Sequence, residues 1–362
     1  VDDPLEVPLL EVLVECGAPP AITYDSLAHI GTDRLHRILP ALRARMIELG
    51  VEFRFDTRFE ELLLAKAGGS VRAVRTSTGE VACRALLFAP GHSARDTWSQ
   101  LASQGVVFEA KPFQLGLRIE HPQELIDAGR YGRRIAELGA ASYGLLCKAG
   151  DGIPAAYSFC MCPGGRIVAS VNEPGLLCTN GMSNSKHSSA WATSALVTTF
   201  GPREFGAGAF AGVDFQRGLE ELFFRAGGSD YTAPAQGARD FVDGRASSEV
   251  RRSTYPFGTV PARLDELLPP LGRDALRRAL WRFDDQIAHF SDNEGQFVGL
   301  ESRSSGPVRM PRDVATRTAH GFDNLYPVGE GAGYAGGIMS AALDGANSAQ
   351  ALLARGIPTQ RS

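Results

Sequence analysis

Residues 324–345 read NLYPVGEGAGYAGGIMSAALDG. Within them Gly331, Gly333 and Gly336 carry the Gly-x-Gly-x-x-Gly spacing of a dinucleotide site. A complete unit of that kind runs strand, glycine turn, helix and second strand, with a ribose-binding acid about twenty residues on. Only the first three parts fit. NLYPVG reads as the strand, and GIMSAALDGANSAQALLA reads as a helix with Ile338, Ala342, Ala346, Ala349 and Leu353 along one face. No second strand can follow before Ser362. The spacing is therefore read as accidental as a fingerprint, while its glycines still make a bare backbone loop that feeds a helix N-terminus.

Such a terminus presents unpaired N–H groups and a partial positive charge, so it favours an anion. Gly336 and Gly337 clear side chains from that point. Phosphate is one ligand that suits it; the pyrimidine edge of a flavin, which gains negative charge on reduction, is another. The competing reading is a glycine-rich turn that only packs a C-terminal helix. Gly345 inside the helix costs about 1 kcal/mol relative to alanine, so close packing is expected beside it.

Working back along the chain, Thr32 or Asp33 is placed to cap a helix through RLHRILPALRARMIELG, with Gly50 as its stop and Pro40 predicting a kink or a broken start. VEFRFDT alternates and predicts a half-buried strand. FEELLLA, SVRAVRTS and EVACRALLFAPG follow as a meander and a fully buried strand ending on Gly91, with turns at Gly68-Gly69 and Thr78-Gly79. From about residue 112 the texture changes. FQLGLRIEHP, AAYSFCMCPGG and RIVASVNEPG predict a sheet, and helical periodicity returns at GVDFQRGLEELFFRAGG and RDALRRALWRFDDQI. The order predicts an α/β chain: a first domain over residues 1–111, an inserted α+β substrate domain over 112–305, and a return to the first domain over 306–362.

Composition narrows the function classes. Thirty-seven basic and 41 acidic residues give a net charge of -4, and no basic run interleaves with aromatics, which argues against nucleic acid. No apolar run reaches the length of a membrane span, and VDDPLEVPLL lacks the features of a signal peptide. The six cysteines form no Cys-x-x-Cys pair and no metal-type spacing with histidine, so a reduced, cytoplasmic setting and no metal are expected. Forty-one glycines, about 11% of the chain, indicate tight turns and close backbone approaches.

Other residues have both a functional and a structural reading. Cys160 and Cys162 share a face if SFCMCPGG is a regular strand, which allows a redox dithiol, although strand cysteines are more often small buried apolar groups. Arg118, His121, Arg303 and Arg309 are placed to bind an anionic substrate or a flavin, or to form surface ion pairs. Tyr334 could stack on a ring or donate a proton, or serve as a structural aromatic. No residue stands out as a general base. Ser93 and Ser183 lack the closing glycine of a nucleophile elbow, which weakens a hydrolase reading.

The segments GAPPAITYDSLAHIGTDRL, LLFAPGHSARDTW, AKPFQLGLRIEHPQELID, YSFCMCPGGRIVASVNEPG, TNGMSNS, ESRSSGPVRM and NLYPVGEGAGYAGGIMSAALDG resemble, in the same order, the bacterial FAD-dependent dehydrogenases often labelled NAD/FAD-utilising oxidoreductases. The resemblance implies a discontinuous Rossmann-like FAD-binding domain with an α+β insert, FAD as cofactor, and hydride transfer between flavin and an unidentified small organic substrate. NAD(P)H is a candidate electron donor. It implies that Gly329 and Glu330 hold the ribityl and pyrophosphate region, that the helix from Gly337 and Ile338 points at the flavin ring, and that Ala89, Pro90 and Gly91 pass beside the cofactor with Gly331, Gly333 and Gly336 in the facing loop. His92, Ser93 and Arg95 are its neighbours. The N-terminal glycine fingerprint of the resembled family is not found here, so the alternatives are a truncated, noncatalytic remnant acting as a binding module, and a flavin-dependent RNA-modifying enzyme, which the acidic balance disfavours.

Overall fold

A computed structural model describes residues 3–25, 30–65, 69–132 and 136–356. The expected turn at Gly68 and the Ser26–His29 part of the N-terminal extended stretch lie outside these residues.

The largest element is a seven-stranded mixed sheet. In spatial order its strands are Thr259–Pro261, Ala233–Gly237, Gln296–Glu301, Phe113–Pro122, Trp191–Phe200, Ala156–Cys162 and Leu146–Cys147. Its spine is the antiparallel pairing of Phe113–Pro122 with Trp191–Phe200, continuous from Phe113 opposite Phe200 to Pro122 opposite Trp191. Residues 115–121 are buried on both faces, which explains why this strand reads as a near-continuous run rather than a strict alternation. The helices Ala211–Ala226 and Pro270–Asp284 cover the sheet, and Phe223, Leu276, Leu280 and Phe283 enter the same core as Leu117, Ile119 and Leu196. The mixed α/β expectation and both helical periodicities are realised here.

A second, smaller core holds Leu62, Val71, Phe88, Trp98, Val308 and Leu325, and Cys16, Ala18, Ile22 and Ile38 pack in a separate N-terminal cluster. Phe59–Leu64, Val71–Thr76 and Gly79–Ala82 form the expected antiparallel meander. Leu86–Phe88 pairs in parallel with Leu325–Pro327, so that segments some 240 residues apart lie side by side. The helices Arg95–Ser103 and Ile338–Arg355 follow these two strands.

Four local expectations are corrected. Residues 51–57 form no strand: Val51 and Phe55 are exposed, and among the described residues no strand pairs with them, so the alternation has no ladder to join. The helix Thr32–Glu48 starts after Gly31 and runs unbroken through Pro40. Thr32 and Asp33 do not cap it but reach to residues 183 and 185, where Ser185 donates both its N–H and its hydroxyl to the Asp33 carboxylate. The strand expected to be fully buried is short and leaves Leu87 exposed, because it has a partner on one side. Finally, the terminal helix buries Leu343, Asp344 and Ser348, whereas Ile338, Ala342 and Leu353 of the predicted apolar stripe face outward. A Cβ at Gly345 would meet Val328 at an ordinary 3.7 Å, so no close approach demands glycine there.

Candidate functional site

The two parallel strands end together, and their C-terminal ends lead into the turns that carry the predicted site. Val328 donates its amide to the Phe88 carbonyl at 2.9 Å, the last rung of the pair. Beyond it, Ala89-Pro90-Gly91 and the glycine loop 329–337 run face to face. The approach is close enough that a Cβ on Gly331 would stand 2.2 Å from the Gly91 carbonyl oxygen. Any side chain there would push the two turns apart. Gly333, with φ of 84°, lies against the Val308 carbonyl in the same way.

The predicted glycines therefore divide into two groups. Gly329, Gly331 and Gly333 are buried and shape the loop; the Gly329 amide is already taken, donating to Asp344 Oδ2 at 2.8 Å. Asp344 is fixed in turn by Arg312 and Arg317, which explains why a carboxylate is buried on the inner face of the helix. Gly336, Gly337 and Ile338 are exposed and form an open shelf at the helix start, and Ala89 and Gly91 are exposed as well. Gly337 precedes Ile338–Arg355 in extended conformation and supplies no side-chain cap, and a Cβ at Gly336 would meet nothing within 4 Å. This is an uncapped helix terminus with free volume in front of it.

Charged groups gather at the loop. Glu330 is half-buried, and its Oε1 has no hydrogen-bond partner. Burial pushes its carboxyl up to about 7, with Lys111 pulling the other way. Lys111 is itself lowered by burial, and its ammonium donates to the Gly306 carbonyl at 3.4 Å. Arg309 is exposed and lies over Tyr334 at 5.4 Å. Neither cation has an ion-pair partner among the described residues.

Behind Gly91, His92 Nδ1 is 3.0 Å from Ser93 Oγ, and the Arg303 guanidinium reaches the same hydroxyl at 3.4 Å. Burial first, then Arg303, lowers the His92 imidazole below its ordinary value, so it is neutral at pH 7. Arg303 also grips Glu220, through Nε at 2.9 Å and Nη2 at 2.7 Å. Arg95 grips the same carboxylate with two bonds of 3.0 Å, and the Ser302 hydroxyl donates to it at 2.6 Å. Burial raises the Glu220 carboxyl, but the two guanidiniums outweigh it and hold it below its usual range. Arg95 thus pins the smaller core, and Arg303 the end of the large sheet, to the helix Ala211–Ala226.

The remaining candidates are engaged with other groups of the protein away from the glycine shelf. Arg118 is fully buried in an ion pair with Glu301 at 3.0 Å rather than on the surface. His121 is buried against the Phe290 carbonyl at 2.8 Å and is pushed by burial to about 4, which keeps it neutral. The Tyr334 hydroxyl donates to the Met310 carbonyl and accepts from the Arg312 amide, so its polar end is used within the protein. A cleft of about 820 Å³ lies on the large sheet, among Arg166, Trp191, Arg252 and Tyr255, and shares no residue with the glycine loop. The sequence reading missed Lys111 and the Glu220 clamp. A lone lysine carries no pattern, and the clamp joins residues more than 80 positions apart.

Residues 112–304 match the family described as "FAD-dependent protein, C-terminal domain-like", and with more than half its length matched the chain belongs to that family. The family is FAD-dependent, and FAD is its cofactor. An uncharacterized protein of Clostridium beijerinckii (strain ATCC 51743 / NCIMB 8052) is 38% identical over 350 residues, which cover 95% of this chain and 65% of that protein. The chain therefore spans about two thirds of the length of this relative. The open shelf, the uncapped helix start and the orphaned Glu330 oxygen are compatible with a flavin cofactor. Among the described residues no helix is long and apolar enough to cross a membrane.

Proposed function

We propose that the chain forms the flavin-facing part of an FAD-dependent oxidoreductase of dehydrogenase type, acting on a small organic substrate, with a discontinuous Rossmann-like FAD domain over residues 1–111 and 306–362 and the large sheet in the inserted α+β substrate domain between them. The observation that carries this reading is the exposed start of the helix Ile338–Arg355, which has no side-chain cap at Gly337 and follows a loop whose Gly331 meets Gly91, in a chain of an FAD-dependent family. Gly336, Gly337 and Ile338 would lie against the ring, Ala89-Pro90-Gly91 would flank it, and Lys111 and Arg309 would face its negatively charged parts. Bound FAD supplies two-electron hydride chemistry. The contribution of the chain is electrostatic: amides aimed at the shelf stabilise negative charge that develops there. Glu330, with a carboxyl near neutrality, is suited to hold or release a proton at its Oε1 oxygen. Gly331 and Gly333 would shape the loop, since backbone lies where a side chain would stand at each.

The test is direct. The purified protein, loaded with FAD, is scanned for bleaching of flavin absorbance under anaerobic conditions with NADH, NADPH and a panel of alcohols, amines and organic acids. Stoichiometric binding and bleaching by one organic class supports a dehydrogenase, and bleaching by NADPH or NADH alone assigns the donor instead. A protein that takes up no FAD is a binding module, and the proposal fails.

A further inference from the structure

The strand Ala156–Cys162 departs from regular pairing at one place. Thr193 of the neighbouring strand lies opposite Cys162 and Ala195 lies opposite Phe159, so Ser194 alone faces Cys160 and Met161. The extra residue is a β-bulge, and Cys160 within it has φ of 46°, a left-handed conformation rare for a residue other than glycine. The bulge leaves the two side chains in different surroundings, yet Cys162 Sγ still donates to the Cys160 carbonyl at 3.4 Å, so the buried thiol lies directly against residue 160. Cys160 is exposed, while Cys162 is buried. Both cysteines remain within reach of one buried cation, because Arg118 donates to the Cys160 carbonyl at 2.8 Å and to Cys162 Sγ at 3.5 Å. Thr193 and Glu301 hold that guanidinium in place, at 3.1 Å and 3.0 Å.

From this geometry we infer that Cys160 and Cys162 form a two-electron thiol–disulfide centre, with Cys160 as the attacking thiol and Cys162 as the resolving one, oxidised by a hydroperoxide. The roles follow from access. An oxidant of bulk solvent meets Cys160 first, whereas Cys162 is shielded beneath it. Contact with Cys160 and then burial hold the Cys162 thiol well above its ordinary value, so it keeps its proton until the second step. In the first step Cys160 sulfur attacks the outer peroxide oxygen, the O–O bond breaks, and the departing oxygen takes the Cys160 proton and leaves as an alcohol, or as water when the oxidant is hydrogen peroxide; Cys160 becomes a sulfenic acid. In the second, Cys162 sulfur attacks Cys160 sulfur, the S–S bond forms, the S–O bond breaks, and water leaves with the Cys162 proton. Two thiols lose two electrons and two protons, and one hydroperoxide is reduced. Arg118 is a positioning residue that holds the Cys160 carbonyl and the Cys162 sulfur together and keeps positive charge at the bulge as negative charge develops there. This centre is independent of the flavin reading, since it needs no residue of the glycine loop.

Hydrogen peroxide at equal concentration is the probe. The intact protein should lose about 2 Da, and alkylation followed by digestion should find residues 160 and 162 joined and the other four cysteines alkylated. In Cys162→Ser the reaction should stop at a sulfenic acid on Cys160, a gain of about 16 Da that dimedone traps. Cys160→Ser should abolish the response, and Cys83→Ser should leave it unchanged. Oxidation that maps to Cys83 in the unsubstituted protein, or Cys160 and Cys162 both still alkylated after peroxide treatment, overturns the inference without relying on any variant.

Discussion

Glu330 is the residue whose physics bears most directly on the site. Its carboxyl is raised to about 7 by burial, so in the folded state it binds a proton more tightly than in the unfolded chain. The sign follows from linkage. Below the ordinary carboxylate value both states are protonated and Glu330 imposes no penalty. As pH rises towards 7 the unfolded state ionises first, stability falls, and the full penalty is present above the folded value. Because the side chain is only half-buried, solvent screening reduces this to about 1 kcal/mol. Glu330→Gln should therefore be more stable than the parent at pH 8 and indistinguishable at pH 4, measured by urea midpoints across that range. If Glu330 also handles a proton beside flavin, the same variant removes the inflection near pH 7 from the rate of flavin reduction.

At the scale of the element, the terminal helix shows how function and packing compete for one sequence. Its inner face holds Asp344 and Ser348 against Arg312 and Arg317, and its alanine-rich stripe is turned outward. Periodicity located the helix correctly but assigned the wrong face, because two arginines from residues 312 and 317 make a polar face worth burying. The N-terminus offers a discriminating experiment. At Gly337 the backbone is extended, a conformation open to any residue, and a Cβ there approaches only Ser340 at 4.0 Å. Gly337→Asp adds an N-cap and a negative charge at the positive end of the helix, which should leave stability unchanged or raise it by up to about 1 kcal/mol. The same charge should weaken FAD binding at least tenfold, read by fluorescence titration. Both effects moving down together would mean that Gly337 is a packing glycine.

The whole molecule is held by the buried clamp on Glu220, where Arg95 from the smaller core and Arg303 from the end of the large sheet meet one carboxylate. Glu220→Gln leaves two buried guanidiniums to share the partly exposed Glu173 as their counter-charge and should lower unfolding free energy by about 3 kcal/mol, measured by denaturant midpoint at pH 7. Since the folded carboxyl is held below its ordinary value, this stabilisation is present above the unfolded value and is lost as pH falls through the folded one. The gap between parent and variant should close in strong acid.

Local pattern was sufficient for a defined part of this protein. Alternation and turn residues placed the meander, the long strand Phe113–Pro122 and the two helices that cover the large sheet, because each depends on neighbours within a few positions. The run of glycines in 329–337 likewise announced a bare loop before a helix, and cysteine spacing drew attention to residues 160 and 162. Pairing across hundreds of residues was invisible to that reading. The parallel meeting of 86–88 with 325–327, the stacking of Gly331 on Gly91, the burial of Arg118 and the clamp on Glu220 arise from long-range contacts that leave no periodic trace. Strand potential at 51–57 went unused for the complementary reason: backbone hydrogen bonds need a second segment, and chain composition alone does not say whether one arrives.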